Sequence, residues 1–317
     1  MKSFLKKLVG FLFFAFVISC VLIASIIAYY GTQNLPALNF TDSYSFNEKV
    51  LFLKKQNLNP QVISIGSSMT LNNLHSETVL TELQTNSFAN TASWGMNLQE
   101  DYRLLKLFDE LYDLKKVIIV SNVIDYTQIS KRIDFDFIRH YLLHDPTYTA
   151  LSLVKNLDLK YYGKNIKYAQ YVRNSTNEYE YLGYDPYGMV QLKGENFNIN
   201  EKRWSHYNLR GNNIREQEYV YLDSISIYCQ QNSLELYYFQ SPYRDGLKSK
   251  FSANEMNVLN AHINRIQSTL KDNQYFVNST KSSWNDSLFV DAMHFNEQGA
   301  KQFTKFCFDE AIQLKTK

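Results

Sequence analysis

The stretch QVISIGSSMT, residues 61–70, places a short apolar run directly before a glycine–serine turn. Such a run, when glycine stops it, is typical of a strand buried inside a parallel sheet. In open sheets of this kind, ligands collect at the carboxyl ends of the strands. The turn at Gly66, Ser67 and Ser68 is therefore predicted to lie where a protein of this fold does its chemistry.

Strands and helices alternate downstream of this stretch. The hydrophobic periodicity predicts strands at 87–90, 116–121, 234–239 and 275–277, and helices at 98–111, 214–231, 253–270 and 297–314. Alternating β and α elements form a mostly parallel sheet that is covered on both faces. We therefore expect an α/β fold, with a flavodoxin-like three-layer α/β/α domain over residues 60–317.

Two regions depart from this alternation. Residues 126–213 are polar and aromatic and show no clean period. They are predicted to form a large central insertion, helical in its first half, that caps the sheet or serves as a substrate platform. Residues 31–59 resemble a polar linker with room for one short helix. Aromatic rings, which include 24 Tyr and 21 Phe, stack well on sugar faces. The alternative interpretation is that these rings are ordinary core or half-buried residues.

The N-terminus carries Lys2, Lys6 and Lys7, followed by an apolar run from Leu8 to Tyr30. A helix needs about 20 apolar residues to cross a bilayer, so residues 1–30 are predicted to be a single-span membrane anchor. A cleaved signal peptide would have a shorter apolar core and a small-residue cleavage site. A lipoprotein modified at Cys20 would not need the strongly apolar residues that follow the cysteine, and a buried core helix would not need the flanking lysines.

The lysines before the span predict a cytoplasmic N-terminus, because positive residues stay on the cytoplasmic side. The rest of the chain then lies outside the cytoplasm, anchored in the cell membrane. That location disfavours kinases and dehydrogenases, which need cytoplasmic nucleotides, and the sequence contains no glycine-rich phosphate loop. With 33 basic and 31 acidic residues, the chain also lacks the basic excess of a nucleic-acid-binding protein. We expect no cofactor.

Cysteine and histidine patterns add little further chemistry. Besides Cys20, only Cys229 and Cys307 are present, which is no disulfide framework; whether these two pair is left open. His140 and His144 lie one helical turn apart, with acidic residues near them at 134, 136 and 145. Two histidines without a third firm ligand are more often a surface pair than a metal site. No metal site is predicted.

A serine hydroxyl becomes a nucleophile only when a base removes its proton, and that base is usually a histidine oriented by a carboxylate. Asp291-Ala292-Met293-His294 supplies both groups on one loop ahead of the last predicted helix. With this spacing, the carboxylate can accept a hydrogen bond from Nδ1 while Nε2 points to the serine. The sequence predicts Ser68 as the nucleophile, with Ser67 as the alternative.

These motifs resemble those of the SGNH (GDSL-like) hydrolase superfamily. In that family a Gly-Asp-Ser block follows the first strand, and an Asp-x-x-His block precedes the last helix. Residues 65–70 match the first block, with Ser67 in place of Asp, and residues 291–299 match the last one. The resemblance covers residues 61–125 and 214 to the end. The central insertion accounts for the long distance between the two blocks.

The resemblance also implies an oxyanion hole built from the nucleophile's own N–H, a glycine N–H and an asparagine side chain. Residues 90–95 resemble the second block, which makes Gly95 the oxyanion glycine. Residues 119–125 lack the Gly-x-Asn-Asp of the third block, so Asn122 is only a loose match. Membrane-anchored, envelope-modifying branches of the superfamily often lose that third block.

The expected reaction is acyl transfer in two steps. Ser68 attacks an ester while His294 takes its proton and Asp291 holds the imidazolium; the acyl group then passes to water or to a sugar hydroxyl. The expected substrate is an acylated, most simply acetylated, cell-envelope glycan, and a multi-span membrane acyltransferase is a candidate partner. The alternatives are a non-catalytic glycan-binding or assembly factor on the same scaffold, and an esterase that acts on membrane lipids.

Overall fold

The computed structural model describes residues 2–30, 35–144, 158–176, 178, 180–193, 201–205, 209 and 213–315. The first helix, α1 (Lys2–Tyr30), is continuous over the apolar run. Residues Lys2–Ser25 are long and apolar enough to cross a membrane, and none of this segment is buried against the rest of the protein. The predicted apolar helix of membrane-spanning length is therefore present.

A parallel sheet of five strands organises the remainder of the described chain. The strands are β1 (Val62–Ile65), β2 (Phe88–Asn90), β3 (Lys116–Ser121), β4 (Glu235–Gln240) and β5 (Tyr275–Asn278). Their order across the sheet is β2-β1-β3-β4-β5, and every neighbouring pair is parallel. This order is common among doubly wound sheets, and the α/β class with a parallel sheet is confirmed.

Helices connect these strands. They are α2 (Tyr44–Gln56), α3 (Ser68–Asn73), α4 (Ser76–Glu82), α5 (Leu98–Leu111), α6 (Phe135–His144), α7 (Leu159–Asn174), α8 (Glu201–Trp204), α9 (Glu216–Gln231), α10 (Asp245–Lys248), α11 (Ala253–Thr269) and α12 (Glu297–Lys315). Reciprocal capping boxes fix where two of them begin, Asn97 with Glu100 at α5 and Ser252 with Glu255 at α11. Each box satisfies backbone N–H groups that the first turn leaves unpaired.

Side chains that alternate along the strands enter two separate hydrophobic clusters. Ile63 and Ile119 belong to a cluster that includes buried residues of α2, α5 and α9. Val62 and Ile118 belong to another, which includes buried residues of α4 and α12. Because successive strand residues point to opposite faces, both faces of the sheet are buried.

The segment predicted as a linker, residues 31–59, is in large part core. In α2, Phe46 and Val50 are fully buried. The polar residues between them hide the helix from the hydropathy pattern, yet they are buried too, because they have partners. Asn47 accepts from the backbone N–H groups of residues 40 and 41, and the Lys49 ammonium donates to the backbone carbonyls of Asn90 and Gly188.

The region predicted as an insertion, residues 126–213, contains α6, α7 and α8 in its described part. An ion pair between a half-buried arginine and a buried glutamate attaches α7 to α2: the Arg173 guanidinium lies 2.7 Å from a carboxylate oxygen of Glu48. Arg173 also donates to the backbone carbonyl of Leu35. The region is thereby tied to the segment that follows α1. Asp145 and His206 lie outside the described residues.

The two cysteines beyond α1 are not paired. Cys229 lies in the cluster on one face of the sheet and Cys307 in the cluster on the other. Both are buried, and burial raises the pKa of Cys229 to about 12. The question left open by the sequence is thus answered in favour of two free thiols, because the sheet separates them.

Candidate active site

The turn after β1 is sharp because Gly66 adopts a positive φ of 140°. A Cβ at this position would lie 2.3 Å from Thr70 Oγ1, so no other residue fits without displacement. Thr70 in turn accepts the Val120 N–H at 2.9 Å and so ties the turn to β3. The chain therefore enters α3 immediately, and Ser68 stands at the carboxyl end of β1.

Ser68, His294 and Asp291 form one hydrogen-bonded chain. Ser68 Oγ lies 2.9 Å from His294 Nε2, and His294 Nδ1 lies 2.8 Å from Asp291 Oδ2. A carboxylate can only accept, so Nδ1 carries the proton of the neutral imidazole and Nε2 is the acceptor for the serine hydroxyl. The structure thus brings together three of the predicted site residues, in the arrangement that a serine nucleophile requires.

Both carboxylate oxygens of Asp291 are hydrogen-bonded. Asp291 Oδ1 accepts the backbone N–H groups of Met293 at 2.9 Å and His294 at 2.8 Å. Burial alone would raise the pKa of Asp291, but the His294 imidazole and these N–H groups lower it below its ordinary value. Asp291 therefore stays ionised and fixes the orientation of the ring. Both side chains are buried, whereas Ser68 is half-buried.

Asn73 joins α3, the helix that begins at Ser68, to the loop that carries His294. Its Nδ2 donates to Ser241 Oγ at 2.9 Å and to the Met293 carbonyl at 3.0 Å, and its Oδ1 accepts the Phe295 N–H at 2.9 Å. The residues on both sides of His294 are thereby attached to α3. This role is not visible in the sequence, because nothing in the local pattern distinguishes Asn73 from any other helical asparagine.

The backbone N–H groups of Ser68 and Gly95, the two predicted backbone donors of the oxyanion hole, make no hydrogen bond to another described residue. Gly95 adopts a left-handed φ of 64°. Its loop is tied to the nucleophile turn, because the Ser93 N–H donates to the Gly66 carbonyl at 3.0 Å. The predicted oxyanion glycine thus lies in a loop bonded to the turn that carries Ser68.

Asn122 lies just past β3 with its amide held by the loop that follows β4. Its Oδ1 accepts the Tyr243 hydroxyl at 2.6 Å, and its Nδ2 donates to the Ser241 carbonyl at 3.2 Å. The second amide hydrogen makes no hydrogen bond to a described residue. One donor of this side chain is thus committed to the protein, and one remains.

Ser67, the alternative nucleophile, has a different partner. Its Oγ accepts the Met69 N–H at 3.0 Å, and its hydroxyl lowers the pKa of the nearby Asp125 carboxyl, although burial raises that pKa overall. Asp125 also accepts the Asn122 N–H at 2.8 Å. Ser67 is buried and, in contrast to Ser68, has no hydrogen bond to an imidazole among the described contacts. Asp125, for which the sequence predicts no role, lies close enough to the turn that carries Ser68 for the Ser67 hydroxyl to affect its pKa.

A third hydrophobic cluster joins described residues between 168 and 192 to the segments that carry Ser68 and Asp291. It contains Leu71, three residues after Ser68, and Val290, which precedes Asp291. Around it lie half-buried aromatic side chains, namely Tyr44, Trp94, Tyr168, Tyr181 and Tyr184. Aromatic surface is therefore concentrated next to the loops that carry the predicted catalytic residues.

The other histidines are placed as follows. The rings of His140 and His144 lie 5.2 Å apart on α6. No group of three His, Cys, Asp or Glu residues that could hold a metal ion occurs within the described ranges. His75 caps α4 through Nδ1, and His262 is buried with Nδ1 2.7 Å from the Tyr219 hydroxyl.

No model of a known protein family matches the chain, and a comparison with curated proteins finds no significant match.

Proposed function

We propose that this chain is a serine-dependent esterase or O-acyltransferase that acts outside the cytoplasm on acyl esters of a cell-envelope glycan. The observation that carries the proposal is the chain of hydrogen bonds from Ser68 through His294 to Asp291. An ordinary surface turn would not need a half-buried hydroxyl, a buried imidazole and a buried carboxylate that are hydrogen-bonded in series.

In the proposed mechanism, Ser68 Oγ attacks the ester carbonyl carbon while His294 Nε2 takes its proton. The oxyanion accepts hydrogen bonds from the N–H groups of Ser68 and Gly95, each such donor being worth roughly 3–4 kcal/mol of barrier. His294 then gives the proton to the leaving alcohol, and the acyl group stays on Ser68. In the second step water or a sugar hydroxyl repeats the attack, and Ser68 is released.

The fold and the motifs agree with this assignment. We propose that the sheet and its helices form a three-layer α/β/α domain of SGNH type, and that the described part of residues 126–213 is an insertion that packs against the loops of Ser68 and Asp291. The parallel sheet with order 2-1-3-4-5 supports this, as does the position of Ser68 at the carboxyl end of β1. Asn122 is proposed as a third oxyanion donor through its remaining amide hydrogen.

A glycan acceptor is favoured by the aromatic side chains beside the site. Tyr and Trp rings offer flat apolar surface at little entropic cost, and Trp94 directly precedes Gly95. We further propose that α1 anchors the domain with its N-terminus in the cytoplasm, because Lys2, Lys6 and Lys7 precede the apolar run.

The test is turnover of p-nitrophenyl acetate by the full-length protein in a non-ionic detergent, with and without added oligosaccharide. We expect release of p-nitrophenol, and acetylation of the oligosaccharide detected by mass spectrometry if the acceptor is a sugar. Ser68→Ala should abolish turnover. Ser67→Ala, the matched control on the neighbouring hydroxyl, should retain it.

Absence of turnover by the wild-type protein towards both acetyl and longer acyl esters would remove the basis for an enzyme. Turnover that persists in Ser68→Ala but is lost in Ser67→Ala would show that the nucleophile is Ser67 and contradict the assignment of Ser68.

A further inference from the structure

Lys131 contacts the peptide group that ends in the N–H of Gly95. Its Nζ donates to the Trp94 carbonyl oxygen at 2.7 Å. The ammonium lies so close that a Cβ on Gly95 would be 3.1 Å from Nζ. We propose that Lys131 is a positioning residue that orients and polarises the Trp94–Gly95 peptide group, so that the Gly95 N–H becomes a stronger oxyanion donor. The inference rests on the proposed function.

The physical basis is the conjugation of the peptide group. Carbonyl and N–H belong to one planar, resonance-coupled unit. A cation that hydrogen-bonds to the oxygen draws electron density towards it and leaves the N–H more acidic, and hydrogen bonds in series strengthen one another in this way. Hydrogen bonds with an ionised donor are also about twice as strong as neutral ones, so the ammonium holds the plane of the peptide firmly.

Lys131 is itself held on other sides. Its backbone N–H donates to Glu100 Oε1 on α5, and its Nζ lies 3.3 Å from Ser43 Oγ, just ahead of α2. Burial lowers the pKa of Lys131, whereas the nearby Glu100 carboxylate raises it. The backbone of Lys131 is therefore attached to α5, and its ammonium lies beside the residue that precedes α2, in a partly desolvated setting where a charge acts more strongly than it does in water.

Backbone conformation and the nearby ammonium both favour glycine at position 95. Its φ of 64° is left-handed, and the approach of Nζ leaves little room for a side chain. The loop that Lys131 holds is bonded to the nucleophile turn through Ser93 and Gly66. The Trp94 side chain packs in the same cluster as Leu71 and Val290. A displacement of this peptide is therefore expected to reach the oxyanion position rather than a remote surface.

The test compares Lys131→Met, Lys131→Gln and Lys131→Arg with the wild-type full-length protein in detergent. The measurements are kcat and KM for p-nitrophenyl acetate, and the inhibition constant of phenylboronic acid, whose serine adduct carries the negative charge of the oxyanion. We expect Lys131→Met to lower kcat by about tenfold or more with KM changed by less than about twofold. Boronate inhibition should weaken by a similar factor.

Lys131→Gln keeps a donor for the Trp94 carbonyl but removes the charge, and should fall between Met and wild type. Lys131→Arg should restore most of the activity. The matched control is Lys54→Met, because Lys54 Nζ also donates to a backbone carbonyl, that of Leu142 at 2.8 Å, away from the proposed site. This control should keep wild-type kcat and boronate affinity.

If Lys131→Met and Lys131→Gln both keep wild-type kcat and boronate affinity, the role of Lys131 is wrong, while the proposed function stands on wild-type turnover. A loss that appears in KM or in the thermal midpoint, with kcat and boronate binding unchanged, would reduce Lys131 to a structural residue and likewise overturn the inference. If the wild-type protein neither turns over esters nor binds boronate, both proposals fail together.

Discussion

The carboxylate of Asp125, behind the nucleophile turn, makes the stability of the protein depend on pH in a calculable way. Burial raises the pKa of Asp125 to about 6 from an ordinary value of 3.8, although the hydrogen bonds from Ser67 and the Asn122 N–H oppose the shift. Between these two pKa values the native state holds a proton that the unfolded chain has released. The native state therefore loses about 3 kcal/mol in all as pH rises from well below the lower of these pKa values to well above the higher one.

Asp125→Asn removes this titration, since an amide cannot ionise. We expect the free energy of unfolding of the variant, minus that of the wild type, to rise by about 2 kcal/mol between pH 4.5 and pH 8. Any constant cost of placing an amide next to Ser67 shifts both ends of this range equally and leaves the rise unchanged.

Carboxylates near Asp125 add to the expected rise in the stability difference. The pKa of Asp101 is raised well above its ordinary value by burial first, and then by the carboxylates of Glu100, Asp125 and Glu218. Removing the charge at position 125 therefore also eases the ionisation of Asp101. The imidazole of His294 has the opposite effect and lowers the pKa of Asp125.

The assay is equilibrium urea unfolding of the full-length protein in a non-ionic detergent, followed by tryptophan fluorescence at pH 4.5, 6 and 8. Asp272→Asn, which removes the same charge from an exposed position, is the matched control and should follow the wild-type pH dependence. If Asp125→Asn and the wild type show parallel pH dependence, the assignment of a buried, raised carboxylate at this position is wrong.

Three further changes test other parts of the molecule. Asp291→Asn should lower kcat by about 10³–10⁴-fold, because an amide facing Nδ1 favours the wrong histidine tautomer; steady-state ester hydrolysis measures it, and an unchanged kcat would contradict the role of Asp291. Burial lowers the pKa of His262 to about 3, so the stability of the wild type minus that of His262→Phe should fall by about 1.4 kcal/mol per pH unit below about pH 6.5. Urea unfolding of both proteins measures this difference, and a difference that does not change with pH would refute the buried neutral ring. Arg173→Met leaves the carboxylate of Glu48 buried without its cation and should lower the free energy of unfolding, measured in urea, by about 3–5 kcal/mol. The double variant with Glu48→Gln should recover part of that loss, and no recovery would show that the ion pair is not the cause.

The elements that the sequence predicts well are those whose signals are local. The bounds of α5 and β3 agree with prediction, because a capping box opens the helix at Asn97 and an unbroken apolar run defines the strand. Helix α2 resembles a linker in the sequence because Asn47, Glu48 and Lys49 make it look polar. Their burial depends on partners that lie far away in the chain, such as Arg173.

The same distinction holds for the site. Ser68, Asp291 and His294 can be selected from the sequence, because each stands beside a recognisable strand end or helix start. The contact of Asn73 with Phe295 joins two residues that are 222 positions apart in the sequence. The contact of Lys131 with the Trp94 carbonyl spans 37 positions. Side-chain-to-backbone contacts of this kind leave no periodic signal, so they are found only in the folded structure.

The most direct test of the central claim is covalent labelling of the native full-length protein with a fluorophosphonate, followed by peptide mapping. The hydrogen bond from Ser68 to His294 predicts a single adduct on Ser68, formed by the folded wild type and lost in Ser68→Ala, in His294→Gln and on denaturation. An unlabelled wild-type protein, or an adduct on Ser67 in place of Ser68, would contradict it.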